Sequence, residues 1–190
     1  MLLRSILANF EERRLNETRA STDSFRDNTL REMDNVLIIR DATETDFDQW
    51  RALWDQYNVF YGRVGSTALP EEIVLSTWKR FFKPTEPVHC LVGEYAGRLV
   101  GLAHYIFHRN TITVENTCYL QDLFSDVSLR GKGIGRALIT EFEKRASQEG
   151  TVGVYWHTHI SNEPAIMLYD RVATNTEFIV YRKNLSKKPT

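Results

Sequence analysis

The sequence predicts one α/β or α+β domain built on a mixed β-sheet. Three observations indicate this fold class. Apolar runs typical of strands alternate with amphipathic helical segments in the order βαα-βββ-αβ-αβ. The dipeptide Ala96-Gly97 joins two of these runs as a hairpin, so part of the sheet is antiparallel. The chain has 190 residues, of which 42% are apolar, and this is enough to bury a sizeable core.

The first part of the predicted domain contains one strand and two helices. Val36–Ile39 is a short β-type run, and residues typical of a helix start follow it. A helix over Phe47–Tyr57 would place its large aromatic side chains on one face. Pro70 then opens a second helix, which we expect to end at Phe82.

The middle of the domain is predicted to supply three strands and one helix. Val88–Tyr95 and Leu99–Phe107 are the arms of the hairpin, and Tyr119–Val127 is a further strand. Ile134–Ala146 has apolar residues at helical spacing, which predicts a helix with one buried face. The C-terminal part is predicted to add a strand, a helix and a last strand, over Thr151–Thr158, Pro164–Val172 and Phe178–Arg182.

The sequence before residue 36 differs from this regular pattern. A short apolar helical face is followed there by a polar stretch rich in Thr, Ser, Asn and Asp. We therefore divide the chain into an N-terminal extension of residues 1–35, a domain of residues 36–185 and a tail of residues 186–190. Alternatively, Met33 is a functional start and the preceding segment contributes little.

Composition excludes several classes of partner. Lys and Arg number 24 and Asp and Glu number 25, a balance that argues against a dedicated nucleic-acid-binding protein. No run approaches the roughly 20 apolar residues of a membrane span. The two cysteines, Cys90 and Cys118, lie in apolar runs typical of buried thiols, and no metal-ligand spacing is present. We therefore expect no metal, nucleic acid or membrane partner and a cytoplasmic protein, or a nuclear one in a eukaryote.

The segment Arg130–Arg136, between a predicted strand and a predicted helix, has the features of an anion site. Its glycines let the backbone bend and approach a ligand, and the free N–H groups of the following helix can bind a phosphate. Three basic side chains add positive charge. The predicted phosphate-binding residues are Arg130, Gly131, Lys132, Gly133, Ile134, Gly135 and Arg136.

Two better-known phosphate loops do not fit this segment. A Walker A loop needs four residues between its glycines, followed by Lys and then Ser or Thr. A dinucleotide-binding fingerprint needs its third glycine at the position of Arg136. The remaining alternative is a purely structural turn, in which the glycines only connect a strand to a helix.

The sequence around this segment resembles the GNAT superfamily of N-acetyltransferases. The superfamily signature Arg/Gln-x-x-Gly-x-Gly/Ala is present from Arg130 onward, and Tyr119–Phe124 resembles the strand before it. Asn162–Tyr169 is similar to a later Asn-x-x-Ala-x-x-Leu-Tyr helix. Tyr155–His159 resembles the branch of histone-and-other-protein acetyltransferases, which includes D-amino-acid acetyltransferases. The resemblance covers roughly residues 36–183.

The resemblance implies a fold and a co-substrate. It implies a central, mostly antiparallel sheet with helices on both faces and a splayed pair of strands. It implies acetyl-CoA as the co-substrate, with main-chain contacts to the pantetheine arm from Leu123, Phe124 and Ser125 and a further contact from Asn162. Ser125 and Val127 stand where Val and Pro are usual, which bears on local strand geometry and not on the co-substrate.

Catalytic roles also follow from the resemblance. Tyr169 is the expected general acid, which protonates the departing CoA thiolate and so also contacts the co-substrate. Diamine acetyltransferases carry Glu where this chain has Gln121, and an amide cannot accept the proton of the amine. The general base therefore stays open between His157 and Asp122, and Gln121 is expected only to contact the acceptor.

The aromatic loop from Tyr57 to Leu69 is expected to select the acceptor. Phe60 and Tyr61 can cover a bound amine, and Arg63 can hold a carboxylate. An equally open alternative is that this loop packs on a second subunit, since members of the superfamily often form homodimers.

The sequence thus predicts an enzyme that moves the acetyl group of acetyl-CoA to a primary amine by direct attack. The acceptor is a small molecule, such as an amino acid or a polyamine, or an amine of a protein. The alternatives are a CoA-binding sensor or interaction module without turnover.

Overall fold

The computed structural model describes residues 36–185, which form two compact units. The first unit ends at Trp156 and the second begins at His157. The predicted N-terminal extension, with its short helix, and the predicted C-terminal tail lie outside the described residues.

The first unit contains a five-stranded sheet whose strands lie in chain order. The strands are β1 (Ile38–Asp41), β2 (Val88–Tyr95), β3 (Arg98–Arg109), β4 (Asn116–Ser125) and β5 (Val154–Trp156). β1 to β4 pair antiparallel with their neighbours, whereas β5 pairs parallel with β4. The sheet is therefore mixed and mostly antiparallel, which confirms the predicted fold class.

Helices cover both faces of this sheet, because side chains of a strand alternate between its two faces. On one face, α1 (Phe47–Phe60) and α2 (Glu71–Phe81) share a buried apolar cluster with alternate residues of β2 and β3. On the other face lies α3 (Ile134–Gln148), whose Phe142 packs on Tyr105 of β3 with ring centroids 5.4 Å apart.

Three tryptophans form the centre of the first face. The Trp50 side chain is fully buried and stacks on Trp54 with ring centroids 5.0 Å apart. It also contacts Trp78 of α2 at 4.7 Å. The aromatic face predicted for α1 is therefore what fixes this helix to the sheet, since fully buried aromatic side chains contribute strongly to stability.

Close packing between α3 and the sheet depends on a glycine in β3. A Cβ atom at Gly101 would lie 2.9 Å from Cγ2 of Ile134 and 2.9 Å from the carbonyl oxygen of Phe124. Such distances are too short for any side chain, so Gly101 lets the first turn of α3 lie directly on β3. The start of α3 is thereby held beside the end of β4.

The predicted hairpin between β2 and β3 is confirmed, and its turn explains why it is so tight. Ala96 and Gly97 have φ angles of 50° and 71°, the left-handed conformation of a two-residue hairpin turn. Several predicted strand bounds are wrong, including those of β1, which lies at Ile38–Asp41 rather than at Val36–Ile39. β4 ends at Ser125 because Val127–Leu129 forms a 3-10 turn, and β5 spans three residues because it pairs with β4 only there.

The predicted strand Phe178–Arg182 is wrong. These residues have no regular secondary structure, and the side chains of Phe178 and Tyr181 are 91% and 89% exposed. A strand needs a neighbour to receive its backbone hydrogen bonds, and residues 157–185 contain no other strand. The segment has the apolar pattern of a strand, but it has no strand to pair with inside its own unit.

The second unit contains one helix, α4 (Glu163–Tyr169), within residues 157–185. Pro164 occupies its first turn as predicted. The helix ends before the predicted Val172, whose N–H instead closes a turn onto the carbonyl of Tyr169 at 3.0 Å. Asn162 precedes the helix without a side-chain cap hydrogen bond, and its amide donates to the Thr158 hydroxyl at 3.2 Å.

Candidate active site

The glycine-rich turn between β4 and α3 has the backbone geometry of an anion cradle. Gly131 and Gly133 have φ angles of 80° and 83°, in the left-handed region that favours glycine. A Cβ atom at either position would meet no protein atom within 4 Å. The space above the turn is therefore open to a ligand, and only the missing side chains keep it so.

The first turn of α3 presents free N–H groups to that space. The first hydrogen bond of the helix runs from the N–H of Ala137 to the carbonyl of Gly133 at 2.9 Å. The N–H groups of Ile134, Gly135 and Arg136 precede it, and Gly133 has no side chain to cap them. Together with the positive end of the helix dipole, these groups can bind a phosphate.

Basic side chains surround the turn but do not build it. Arg130, Lys132 and Arg136 are all exposed. Lys132 Nζ lies 5.8 Å from the centroid of the Tyr95 ring, at the end of β2. Their charges add long-range attraction for an anion, whereas the close contacts are available from the main chain.

Asp126 holds the turn in place at the end of β4. Its carboxylate accepts hydrogen bonds from the N–H and the hydroxyl of Ser128, at 2.9 and 2.7 Å. These bonds lower the pKa of Asp126 below its usual range. The Asp126 N–H donates to the carbonyl of Val100 at 2.8 Å, so the turn is also tied to β3. Val127 therefore starts the turn without the proline that is usual there.

One edge of β4 is left without a strand beside it in the first unit. Pairing with β5 stops at Leu120 and Trp156, whereas pairing with β3 continues to Ser125 and Gly101. The main chain from Gln121 to Ser125 therefore has a free edge in this sheet. This free edge includes Leu123, Phe124 and Ser125, the residues expected to contact the pantetheine arm.

A β-bulge at Gln121 changes the faces of β4. His104 of β3 pairs with Asp122 and Tyr105 pairs with Leu120, so Gln121 is an extra residue without a partner. Leu120 therefore shares the α3 face with Tyr105, whereas Asp122 shares the α1 face with His104. Without the bulge, Leu120 and Asp122 would lie on the same face.

The bulge places Asp122 in a chain of buried hydrogen bonds. The indole N–H of Trp50 donates to Nε2 of His104 at 2.8 Å, and His104 Nδ1 lies 2.9 Å from Asp122 Oδ2. Because an indole N–H can only donate, Nε2 is the acceptor, and Nδ1 carries the proton that is donated to Asp122. We call Trp50, His104 and Asp122 the buried polar chain.

Asp122 is ionised in this environment. Burial opposes its charge, but the hydrogen bond from His104 and the nearby hydroxyl of Tyr57 hold the pKa of Asp122 below its usual value. The pKa of Tyr57 is raised, mainly by burial and then by the Asp122 charge. An ionised carboxylate without such partners would be strongly unfavourable in this core.

The predicted acceptor residues surround the end of α1. The Tyr57 ring lies 4.9 Å from the Tyr61 ring and 6.4 Å from that of Phe124 in β4. Arg63 donates from Nη1 to the amide oxygen of Asn58 at 2.7 Å, and Asn58 is buried. Tyr57 thus connects α1 to β4, and this helix continues to Phe60 rather than ending at the predicted Tyr57. The guanidinium of Arg63 is oriented by its hydrogen bond to Asn58.

The side chains of Phe60 and Gln121, which were expected to contact the acceptor, are exposed. Phe60 packs edge-on against Tyr61 with ring centroids 5.1 Å apart. Three other predicted site residues, His157, Asn162 and Tyr169, belong to the second unit. There His157 is exposed immediately after β5, and Tyr169 ends α4 with its side chain partly buried.

Sequence reasoning missed the residues that support the site. Gly101, Trp50 and His104 were not predicted to have a role, although His104 interrupts the long apolar run of β3. That interruption was the available signal, since a buried polar side chain in a strand needs a partner. Its partner was hidden because the bulge at Gln121 cannot be seen in the alternation pattern.

Two absences apply to residues 36–185 only. In this part of the chain, no three His, Cys, Asp or Glu side chains converge to hold a metal ion. None of its helices is both long and apolar enough to cross a lipid bilayer.

Comparisons with known proteins agree with this geometry. Residues 48–173 match the model of the acetyltransferase (GNAT) family. The chain is 33% identical over 150 residues to the D-amino-acid N-acetyltransferase HPA3 of Saccharomyces cerevisiae, covering 78% of this chain and 91% of that protein.

Solved structures show the same fold at low sequence identity. The aminoglycoside acetyltransferase AAC(6′)-Iy, in complex with a bisubstrate analogue, has a TM-score of 0.68 and 16% identity, covering 80% of this chain and all of that one. A ribosomal-protein-alanine N-acetyltransferase from Brucella melitensis biovar Abortus has a TM-score of 0.63 and 17% identity, covering 79% of this chain and all of that one.

Proposed function

The chain belongs to the acetyltransferase (GNAT) family and is an acetyl-CoA-dependent N-acetyltransferase, and from this premise we propose that its acceptor is the primary amine of a free amino acid. The observation that carries this choice is the fixed guanidinium of Arg63 beside the aromatic cluster at the end of α1. A planar guanidinium with free N–H donors is suited to a carboxylate. The curated relative is a D-amino-acid acetyltransferase, which supports the same class of acceptor.

On the donor side, we assign the pyrophosphate of acetyl-CoA to the donor turn, defined as residues Arg130–Arg136. The open space above Gly131 and Gly133 and the free N–H groups at the start of α3 support this assignment. The free edge of β4 at Leu123–Ser125 is suited to main-chain contacts with the pantetheine arm. Asn162 is a further proposed contact, on the basis of the sequence resemblance.

The proposed reaction is a direct attack of the amine nitrogen on the acetyl carbon. The carbon–sulfur bond breaks, the amine loses a proton and the CoA thiolate takes one up. A main-chain N–H of the Leu123–Ser125 segment would stabilise the developing oxyanion, a contribution of about 3–4 kcal/mol where such donors have been removed. Tyr169 is the proposed acid for the thiolate, by its match to the superfamily helix.

The amine must reach its neutral form before it attacks. At pH 7 this costs about 4.6 kcal/mol for an alkylamine with a pKa of about 10.4. The lowered pKa of Asp122 makes this carboxylate a weaker proton acceptor than an ordinary Asp. Of the two predicted bases, we therefore favour His157, and we propose that Asp122 acts through its position.

We also propose a homodimer in the cytoplasm. The exposed apolar segment from Phe178 to Tyr181 supports association with a second copy, since such patches are usually covered. Cys90 and Cys118 are buried free thiols, as is usual in a reducing compartment. Analytical ultracentrifugation should give a dimer mass, and a monomer at micromolar concentration would contradict the proposal.

Acetyl-CoA-dependent thiol release tests the acceptor directly. D- and L-amino acids, polyamines and a lysine-containing peptide should be compared at equal concentration. We expect the largest kcat/KM with a free amino acid, because it carries, next to its amine, a carboxylate that Arg63 can bind. A preference for polyamines or peptides would overturn the acceptor proposal, and CoA binding without any turnover would indicate a sensor.

A further inference from the structure

The buried polar chain connects α1 to the bulge of β4, and of its three members only Asp122 was predicted to take part in the chemistry. Its members Trp50, His104 and Asp122 come from α1, β3 and β4, and their exposed fractions are 0%, 2% and 8%. Both ring nitrogens of His104 are occupied, one by Trp50 and one by Asp122. His104 therefore cannot reach a substrate and can act only through its neighbours.

The buried polar chain specifies the register of β4 at the bulge. If the bulge were lost, every residue of β4 after Leu120 would pair one position further along β3, and the side chains on the two faces would exchange. Such a shift would move Asp122 from the α1 face to the face that packs against Phe142 and other apolar residues of α3. An ionised carboxylate is strongly unfavourable there, whereas in the observed register His104 donates a hydrogen bond to it.

The bulge sets the register in which the next three residues of β4 pair with β3. Leu123 pairs with Ala103, Phe124 with Leu102 and Ser125 with Gly101, all directly after the bulge. A slip of one residue would move each of their main-chain groups by about 3.3 Å along the strand. Acetyl transfer is sensitive to much smaller displacements, since misplacement by about 1 Å can lower a rate about a hundredfold.

We propose that His104 is a positioning residue for acetyl transfer. By donating from Nδ1 to Asp122 while Trp50 holds Nε2, it locks the bulge at Gln121 and so fixes the main chain of Leu123–Ser125 in the register that receives the thioester. This inference rests on the proposed function, because it assumes that this segment contacts acetyl-CoA.

Two substitutions of His104 separate its hydrogen bonds. In His104→Asn the side-chain amide overlaps the position of Nδ1 and can still donate to Asp122. In His104→Gln the amide reaches the position of Nε2, so the contact with Trp50 can be kept while the donor to Asp122 is lost. We expect kcat to fall about a hundredfold in His104→Gln and less than tenfold in His104→Asn. The dissociation constant for CoA, measured by calorimetry, should change by a smaller factor than kcat in both, since the donor turn is unaltered and only the pantetheine contacts of Leu123–Ser125 are displaced.

A readout that does not need turnover distinguishes this proposal from the proposed function. Amide hydrogen exchange of β4 in the resting protein should become faster at Gln121–Ser125 in His104→Gln, and remain near the wild-type rate in His104→Asn. If the wild type acetylates no amine but the exchange pattern is as expected, the proposed function fails and the positioning role stands. Equal exchange and equal loss of kcat in the two variants would overturn the positioning role.

Trp50→Phe provides a second test of the proposal if His104→Gln does not fold. This change keeps an aromatic ring in the core, but it removes the indole N–H that orients His104 together with part of the ring volume. We expect a three- to tenfold loss of kcat, a smaller change in CoA affinity and faster exchange at Gln121–Ser125. A folded variant with wild-type kcat and wild-type exchange would show that the buried polar chain does not position β4.

Discussion

The donor turn and the acceptor loop, Tyr57–Leu69, are built from different parts of the polypeptide. In the donor turn, left-handed glycines and the free N–H groups of α3 form the proposed binding surface, and its three basic side chains are exposed. In the acceptor loop, the proposed recognition depends on one side chain, that of Arg63, which is held by the buried Asn58. We therefore expect backbone changes to dominate on the donor side and side-chain changes to dominate on the acceptor side.

Among changes in the donor turn and the acceptor loop, the largest effect is expected from a side chain at Gly133. In Gly133→Val the Cβ atom would enter the open space above the turn and strain a φ of 83°. The KM for acetyl-CoA should rise more than about tenfold, while the KM for the acceptor stays within about twofold.

Gly150 provides a matched control for this change. It follows the C-terminal end of α3, has a φ of 70° and also has no protein atom within 4 Å of an added Cβ. Gly150→Val should lower thermal stability to a similar degree without changing the KM for acetyl-CoA. Equal KM values in the two variants would show that the phosphate lies elsewhere.

This difference also explains what the sequence could and could not predict. The backbone geometry of the donor turn could be predicted because it depends on residue types at seven consecutive positions, Arg130–Arg136. The buried polar chain could not, because Trp50, His104 and Asp122 meet only through tertiary structure and a bulge. Alternation along β4 predicts the same face for Leu120 and Asp122, and one unpaired residue reverses that result.

The elements themselves follow the same rule. Ile134–Gln148 has apolar residues at helical spacing along its whole length, and its predicted start at Ile134 is confirmed. Phe178–Arg182 has an equally apolar pattern but forms no strand in its unit. Local patterns therefore predicted helices well, whereas the strands also depended on which partner is available.

An intermediate effect is expected from Arg63. In Arg63→Ala the KM for an amino acid should rise about tenfold, because a charge-assisted contact to the carboxylate is lost. The KM for acetyl-CoA should not change. The sharpest comparison measures each amino acid against the amine that lacks its carboxylate. The wild type should prefer the amino acid, and Arg63→Ala should abolish this preference.

Arg63→Lys gives the control for that prediction. Lysine keeps the positive charge but loses the paired N–H groups and the geometry fixed by Asn58, so part of the preference should remain. If Arg63→Ala retains the full preference for amino acids, the carboxylate is bound elsewhere and the acceptor loop has another role.

The smallest effect is expected from Lys132, which tests whether the donor turn depends on its backbone. The Nζ atom of Lys132 lies over the Tyr95 ring. Because the Lys132 side chain is exposed, solvent and salt screen its charge. Lys132→Ala should raise the KM for acetyl-CoA only about two- to fourfold, and this difference should shrink as salt is added. Lys144→Ala removes an exposed charge from a later turn of the same helix and should leave the KM unchanged. A loss from Lys132→Ala as large as that from Gly133→Val would mean that charge, rather than backbone geometry, forms the donor site.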